Sequence, residues 1–285
     1  MTIFFHSLPG TLERGIRSDD GVDSIRSEDD AEGDFRAGAR ACGSLATGAP
    51  IAFGRRSGDR RSFRRNGVSM TGTARRALAE ALATFLFVLS IIGAVNSGSA
   101  LTPLAIGFAL AVLIFATGHI SGAHLNPAVS VGVFLRGGLS VADLVGYIVA
   151  QAIGAVLAAL VSAVWWAPEK EAVVVQILPA FLVELIFTFF LVYVVLNVAT
   201  AKGTAANSFY GLAIGGVVFV GATTVGSISG GGFNPAVALG LSVSGHFAWS
   251  SLWLYVVAPV VGGALAAVAF RLLNTDDAKK VAAAE

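Results

Sequence analysis

The sequence is almost free of cysteine. Its only cysteine is Cys42, so no disulfide bond can form within the chain and no metal site can be built from several cysteines. A small secreted domain held by disulfides and a zinc protein with cysteine ligands are both excluded.

Charged residues are also scarce. Asp, Glu, Lys and Arg make up 13% of the chain, about half of the roughly 25% that is usual in a globular domain. Hydrophobic residues make up 55%, the mean hydropathy is +0.76, and the apolar residues form long runs. This pattern indicates a membrane protein rather than a soluble one. The formal net charge of +1 gives no overall attraction to nucleic acid.

The charges that do occur are concentrated at the N-terminus. Residues 1–69 contain 11 of the 19 basic and 10 of the 18 acidic residues. They show no helical or strand period, which predicts a disordered extension. Three arginine pairs near its end favour contact with anionic lipid head groups, and a solvated segment without a role is the alternative. Met70 has the character of a natural start, and we favour the interpretation that residues 1–69 are an over-extended gene model.

Long apolar segments follow one another from Ala74 onward. They predict six membrane spans, each near the roughly 20 residues that a bilayer core requires, at about 74–96, 102–119, 140–166, 173–199, 208–227 and 248–273. The membrane domain is placed at 70–275, with 276–285 as a cytoplasmic tail. With the N-terminus inside, seven of the eight Arg and Lys residues after Met70 are cytoplasmic and only Lys170 is outside, so both termini are predicted to be cytoplasmic.

One motif occurs twice in the membrane region. Residues 118–130 and 226–238 are identical at 8 of 13 positions, and each is a glycine-rich loop that leads to Asn-Pro-Ala. Asn as a cap and Pro in the first turn predict that a short helix begins there. Segments of about 125–136 and 233–243 are too short to cross the bilayer, so we expect two half-helices that are covered by protein.

The repetition extends into the spans. Glu80-Ala-Leu-Ala-Thr84 is echoed by Glu184-Leu-Ile-Phe-Thr188 three spans later, so the two halves are predicted to be inverted, an arrangement that marks a transport site where they meet. Each half-helix has an effective charge of roughly +0.5 at its N-terminus, which opposes cations. Asn126 and Asn234 are expected to direct their amide N–H groups into the pore. The prediction is passive conduction of small uncharged solutes.

The paired motifs, Ser-Gly-Ala-His-Leu-Asn before the first, and Glu-x-x-x-Thr in spans one and four together resemble the aquaporin, or major intrinsic protein, family over about residues 72–275. The resemblance implies an all-α membrane protein with six transmembrane helices and two re-entrant half-helices in inverted repeats. It also implies a homotetramer in the plasma (inner) membrane, in contact with lipid. The pore motif residues are Asn126, Pro127, Ala128, Asn234, Pro235 and Ala236.

Several polar residues inside the spans need an interpretation. Glu80 and Glu184 are expected to accept hydrogen bonds from N–H groups of the re-entrant loops, and the resemblance points the same way; an ion or proton relay is the alternative. His119 and His124 are expected to make packing hydrogen bonds, with metal ligation or pH gating as the alternative. Gln151 is expected to serve contacts between helices.

The sequence departs from the family pattern at the selectivity filter. In most aquaporin-like channels Arg follows the second Asn-Pro-Ala, whereas this chain has Val237, and Ala238 stands where glycerol facilitators often have an acidic residue. Spacing from the motifs predicts a constriction without charge, aromatic ring or side-chain donor. Its members are Ile106, Ala222, Gly231 and Val237.

A constriction of this kind predicts a pore wider than a water-selective one. Span six, with Tyr255 followed by Val256, is similar to nodulin-like and metalloid-conducting relatives, and some bacterial relatives with an altered filter act in arsenic efflux. The favoured solutes are therefore arsenite and other neutral metalloid acids and glycerol-like polyols, with urea and water as further candidates. A water-selective channel and a non-conducting structural protein are the alternatives. No cofactor, metal site or enzymatic nucleophile with its base is predicted.

Overall fold

The computed structural model describes residues 72–166, 172 and 174–278. The predicted extension of residues 1–69 and the end of the tail lie outside the described residues. Within them the chain is helical, in the order α1 Gly72–Asn96, α2 Thr102–Ser121, α3 Pro127–Arg136, α4 Val141–Ser162, α5 Ile177–Val195, α6 Tyr210–Ser229, α7 Pro235–Val243, α8 Leu252–Leu273 and α9 Thr275–Ala278. A π-helical turn, Leu196–Thr200, prolongs α5, and a 3₁₀ turn, Trp249–Ser251, precedes α8.

Six of the described helices are long and apolar enough to cross a membrane. They are α1, α2, α4, α5 with its π turn, α6, and α8 with its 3₁₀ turn, which confirms the predicted all-α fold with six spans and two shorter helices between them. Two boundaries are wrong: α4 ends at Ser162 rather than at residue 166, and α5 begins at Ile177 rather than at residue 173. The reason is that residues 163–166 and 174–176 are mostly apolar or aromatic and extend the apolar run without being helical.

The two halves of the chain pack in matching ways. An ideal Cβ on Gly154 of α4 would lie 2.3 Å from the carbonyl oxygen of Ala81 on α1, and one on Gly262 of α8 would lie 2.4 Å from that of Leu185 on α5. The 108-residue offset of the repeat relates Gly154 to Gly262. Because only glycine lets two backbones approach this closely, the pairs α1–α4 and α5–α8 are the same packing unit used twice.

Helices α2 and α6 meet where the halves join. An ideal Cβ on Gly107 would lie 2.7 Å from the carbonyl oxygen of Gly215, and one on Gly215 would lie 2.3 Å from the carbonyl oxygen of Gly107. Residue i therefore contacts j as j contacts i, which is the mark of a two-fold relation. The inverted repeat predicted from the sequence has this local symmetry.

Each half-helix is covered by the other half of the chain. Gly132 of α3 lies against Val192 of α5, and Gly240 of α7 lies against Val88 of α1, with ideal Cβ atoms at 2.4 and 2.6 Å from the nearest side-chain carbon. An isolated helix of nine or ten residues would be marginal. Burial between spans of the opposite half stabilises α3 and α7 and covers the loop backbone that a bilayer cannot solvate.

The outer surface of the bundle is apolar and its interior carries the polar groups. On α1 the residues Leu78 and Leu82 are each 56% exposed, whereas Glu80 and Thr84 are fully buried. This distribution suits a surface in contact with lipid and places the carboxylates beside the re-entrant loops.

Candidate pore between the half-helices

A cavity of about 730 Å³ extends between the spans, and both motif asparagines line it. At one end it is lined by residues 200–202 and 204–207, and we call this the inner end; at the other it is lined by His246 and Phe247, and we call this the outer end. The predicted constriction residues Ile106, Ala222, Gly231 and Val237 also line the cavity. The structure thus brings these four residues to one passage, and their role as a filter stays a prediction.

Asn126 and Asn234 begin the half-helices. Both have extended backbones, with φ of −157° and −159°. Each side-chain Oδ1 accepts a hydrogen bond from the backbone N–H two residues later, which is Ala128 N at 2.8 Å for Asn126 and Ala236 N at 2.9 Å for Asn234. Pro127 and Pro235 occupy the first helical position, where a missing N–H costs nothing. The local sequence therefore fixes where each helix starts and how its free N–H groups are capped.

The same asparagines join the two loops. Asn126 Nδ2 donates to the carbonyl oxygen of Phe233 at 2.9 Å, and Asn234 Nδ2 donates to that of Leu125 at 2.8 Å. Leu125 and Phe233 have φ of +50° and +47°, a left-handed conformation that costs roughly 1–3 kcal/mol for such residues. The reciprocal hydrogen bonds hold the two carbonyl groups in this orientation.

These hydrogen bonds leave part of each amide for a solute. An asparagine amide has two N–H donors, and the reciprocal bond uses one of them. The expectation that Asn126 and Asn234 direct their donors into the pore therefore applies to one N–H of each. Both residues are more than 95% buried and line the cavity, so contact of that remaining donor with a solute stays a prediction.

Glu80 is surrounded by four donors. Its Oε1 accepts from Ser121 Oγ at 2.6 Å and from the His124 backbone N–H at 2.9 Å. Its Oε2 accepts from the Leu125 backbone N–H at 2.7 Å and from Gln151 Nε2 at 2.9 Å. The carboxylate thus ties the first loop to α1 and α4, and Gln151 contributes to that tie rather than facing the passage.

Glu184 repeats this arrangement in the second half with three donors. It accepts from Ser229 Oγ at 2.7 Å, from the Gly232 N–H at 2.9 Å and from the Phe233 N–H at 2.6 Å. The position that matches Gln151 is Pro259 of α8, which has no donor to offer. The second loop is therefore held by the same geometry with one contact fewer.

The hydrogen-bonded set of His124, Ser130 and Gln151 lies beside the first motif loop and has no counterpart beside the second. His124 Nδ1 lies 3.0 Å from Ser130 Oγ, and Gln151 Nε2 donates to the same hydroxyl at 3.1 Å. In the second half the matching residues are Gly232, Ala238 and Pro259. Among the residues that the structure describes, no group of three His, Cys, Asp or Glu side chains is arranged to bind a metal, and His124 makes packing hydrogen bonds.

The constriction predicted from the motifs is lined by small or aliphatic side chains. Gly231 has φ of +68°, and an ideal Cβ on it would lie 3.5 Å from the Ala222 Cα. Val237 is 3% exposed, in the first turn of α7. An aromatic residue that spacing from the motifs did not identify, Phe247, lines the outer end beside them. It follows α7 in a loop without a repeated motif, so the sequence held no signal for it.

The inner end is held by ion pairs. Asp277 of α9 lies 3.4 Å from Lys202 Nζ and 3.9 Å from Arg136 Nη2, and it accepts from the Lys202 backbone N–H at 3.1 Å. Arg136 also donates to the Thr200 hydroxyl and carbonyl oxygens, each at 2.7 Å. The pKa of Asp277 lies below its ordinary value, chiefly because the Lys202 N–H donates to it, with both cations adding attraction. The C-terminal segment therefore fixes the loop that lines the inner end.

Comparison with known proteins places these features in a family. Residues 68–270 match the family described as major intrinsic protein. The chain is 35% identical over 216 residues to glycerol uptake facilitator protein-like 6 of Lactiplantibacillus plantarum, covering 71% of this chain and 100% of that one. It is 32% identical over 210 residues to aquaporin NIP1-4 of Oryza sativa subsp. japonica, covering 69% and 76%.

A solved structure shares the fold. The X-ray structure of the aquaglyceroporin from Plasmodium falciparum superposes with a TM-score of 0.60 at 24% identity, covering 70% of this chain and 95% of that one. At that identity the likeness concerns the arrangement of helices alone.

Proposed function

Because this chain belongs to the major intrinsic protein family, we propose that it is a family member with a wide pore. Its apolar filter admits neutral metalloid acids such as arsenite and glycerol-like polyols. The family assignment already makes the chain a multi-pass membrane channel for small solutes such as water or glycerol, and not an enzyme. The proposal concerns which of these solutes the filter favours.

The observation that carries the proposal is the lining at the predicted constriction. Val237 stands directly after the second Asn-Pro-Ala, and Ile106, Ala222 and Gly231 line the same cavity. None of these side chains carries a charge or a hydrogen-bond donor. A guanidinium in the place of Val237 would occupy space and present a charge with five N–H donors to the passage. Its absence favours a wider opening and solutes with an apolar or polarisable face.

The polar groups along the passage suit solutes with several hydroxyls. One N–H of each motif asparagine and the carbonyl groups of the glycine-rich loops are available to replace the hydration of such a solute. Arsenite near neutral pH is the uncharged trihydroxide and is close to glycerol in size. The Lactiplantibacillus relative is named glycerol uptake facilitator protein-like 6, which is consistent with this class of solute.

Exclusion of cations is assigned to the half-helices. With no cationic side chain among the four predicted filter residues, the barrier rests on the two N-termini at Asn126 and Asn234, each with an effective charge of roughly +0.5. Protons and metal ions meet this barrier, whereas neutral solutes do not.

Permeability in proteoliposomes tests the proposal. Stopped-flow light scattering with water, glycerol, urea and arsenite should show flux of glycerol and arsenite through the wild-type channel. Val237→Arg should lower glycerol and arsenite flux by about tenfold or more, a typical factor for a steric change in a pocket, while retaining water flux. Val237→Met adds length without charge and serves as the matched control.

Three outcomes would contradict the proposal or its premise. Fast water flux without glycerol or arsenite flux would make the channel water-selective, and no flux of any solute would favour the non-conducting structural alternative. Unchanged selectivity in Val237→Arg would show that Val237 does not lie at the narrowest point.

We also propose a plasma (inner) membrane location, cytoplasmic termini and a homotetramer. The inner end supports this orientation because Arg136 and Lys202 lie there beside Asp277, as the excess of basic residues on cytoplasmic loops requires. Labelling of a cysteine introduced at Ser97 or Lys202 in sealed cells tests the orientation, and native mass spectrometry in detergent tests the assembly. Labelling of the Lys202 position from outside intact cells would show that the orientation is the reverse of the one proposed.

A further inference from the structure

We propose that Phe247 forms the aromatic wall of the outer pore and sets the upper size limit of the solute. The inference rests on the channel function proposed above. It assigns a specificity-determining role to a residue outside the four-residue constriction that spacing from the motifs predicts.

The ring of Phe247 is held on two sides. It stacks on Tyr255 of α8, with ring centroids 4.6 Å apart and an interplanar angle of 26°, and the Tyr255 hydroxyl in turn donates to the carbonyl oxygen of Ser229. Its other neighbour is Gly230, where an ideal Cβ would lie 2.7 Å from Cε1 and Cζ of the ring. The Phe247 backbone N–H donates to the carbonyl oxygen of Leu241 at 3.0 Å. The position of the ring is therefore fixed by contacts with α7 and with α8.

These contacts place the ring of Phe247 next to the predicted constriction. Gly230, which the ring touches, directly precedes Gly231, and Gly231 lies against Ala222. Phe247, Gly231, Ala222 and Val237 all line the same cavity. An aromatic surface is thus present at the outer pore, although no member of the predicted constriction supplies one.

The internal symmetry explains why a ring is needed at this place. Tyr147 and Tyr255 are matched residues, and their hydroxyls donate to the matched carbonyl groups of Ser121 and Ser229. In the first half the Tyr147 ring contacts His124 of the re-entrant loop, with centroids 5.1 Å apart. In the second half Gly232 takes the place of His124.

Gly232 leaves the second tyrosine without a loop side chain to contact. An ideal Cβ on Gly232 would already lie 3.0 Å from the Tyr255 ring, and Phe247, which comes from beyond α7, stacks on that ring instead. The residue that lines the cavity beside the tyrosine is therefore a polar imidazole in the first half and an apolar ring in the second. A linear polyol could place its C–H face on this ring while its hydroxyls contact the loop carbonyls.

Polyols of increasing length test the assignment. Glycerol, erythritol and xylitol permeabilities are measured in proteoliposomes that contain wild type, Phe247→Ala or Phe247→Tyr. Phe247→Ala should raise the erythritol to glycerol permeability ratio by about tenfold, as expected for removal of a steric wall, and Phe247→Tyr should leave or lower it. Phe181→Ala is the matched control because Phe181 contacts Trp253 at a centroid distance of 6.4 Å and is not among the residues that line the cavity.

An unchanged permeability ratio in folded Phe247→Ala would overturn the inference. The result is separable from the proposed function: if the wild type conducts water alone, the proposed solute class is wrong. In that case a gain of glycerol flux in Phe247→Ala still supports the role of Phe247, and no gain contradicts it.

A thiol probe decides the matter if Phe247→Ala does not fold. Since Cys42 is the only cysteine, Phe247→Cys can be made on a Cys42→Ser background and treated with a small methanethiosulfonate reagent. Loss of flux on modification supports the assignment. Unaltered flux with modification verified by mass, or no modification at all, overturns it.

Discussion

Removal of the Glu80 carboxylate should destabilise the channel more than removal of Glu184. Glu80 accepts four hydrogen bonds and Glu184 accepts three. A hydrogen bond to a charged group contributes about 1.5–3 kcal/mol, and such contributions within one network are not additive. Truncation of either carboxylate leaves its buried neutral donors without a partner, and a buried unsatisfied donor costs about 1–3 kcal/mol. With one donor more at Glu80, we expect about 3–5 kcal/mol for Glu80→Ala and about 1–2 kcal/mol less for Glu184→Ala.

The amide variant separates shape from hydrogen bonding. In Glu80→Gln one terminal atom is an oxygen and still accepts two bonds, whereas the other is an NH₂ group that faces donors. If the NH₂ replaces Oε1, the Ser121 hydroxyl can turn and accept, but the His124 backbone N–H cannot. A buried N–H without a partner costs about 1–3 kcal/mol. The expected order of stability is wild type, then Glu80→Gln, then Glu80→Ala.

Thermal unfolding in detergent, together with solute flux in proteoliposomes, measures this order. Ser90→Ala is the matched control on α1, because Ser90 is exposed outside the polar interior and its hydroxyl donates only to the Leu86 carbonyl of the same helix. Its effect should stay within about 0.5 kcal/mol. Glu80→Ala with the stability and flux of Ser90→Ala would refute the view that the carboxylate holds the loop. Unchanged stability with altered proton leakage would favour the relay alternative.

Two further predictions concern the packing of the halves and the inner end. Gly154→Ala and Gly262→Ala should each destabilise the protein by about 1–3 kcal/mol, because their ideal Cβ atoms lie 2.3 and 2.4 Å from carbonyl oxygens. Gly146→Ala should not destabilise it, because an ideal Cβ on Gly146 meets no atom within 4 Å. Equal melting temperatures for all three variants would contradict this prediction. The lowered pKa of Asp277 means that its contribution to stability is present above the ordinary aspartate value of about 3.9 and is lost as the pH falls through the lower folded value. Asp277→Asn should therefore lower the melting temperature near neutral pH, with a difference from wild type that shrinks below about pH 4; a difference independent of pH would contradict the ion-pair explanation.

Local signals account for what could be predicted from the sequence. Apolar runs of sufficient length specify the spans, and Asn followed by Pro specifies where α3 and α7 begin, because both are properties of a few neighbouring residues. The boundaries near Ser162 and Ile177 were missed because hydropathy measures compatibility with lipid and not helix geometry. The repeated Glu residues indicated a tie to the loops, although the donors Ser121 and Gln151 could not be identified without a fold.

Contacts between distant segments account for what could not be predicted. The reciprocal bonds of Asn126 and Asn234 reach residues 107 and 109 positions away, and nothing in either loop specifies that partner. Leucine and phenylalanine rarely adopt positive φ, so the left-handed Leu125 and Phe233 have no sequence signature. Their conformation is imposed by the meeting of the two loops.

The repeat makes the frame of the pore symmetric and leaves its chemistry unequal. Both loops use one glutamate, one tyrosine and one asparagine in matching roles, so the barrier to cations proposed at the two helix N-termini is the same from either side. These shared residues therefore do not discriminate between the two ends of the pore. The two ends differ at the matched pair His124 and Gly232. His124 places a polar ring against Tyr147, whereas Gly232 has no side chain and Phe247 stacks on Tyr255 instead. We therefore expect selectivity to be decided at the outer end, where the symmetry of the repeat is broken, and not at the asparagines that the two halves share.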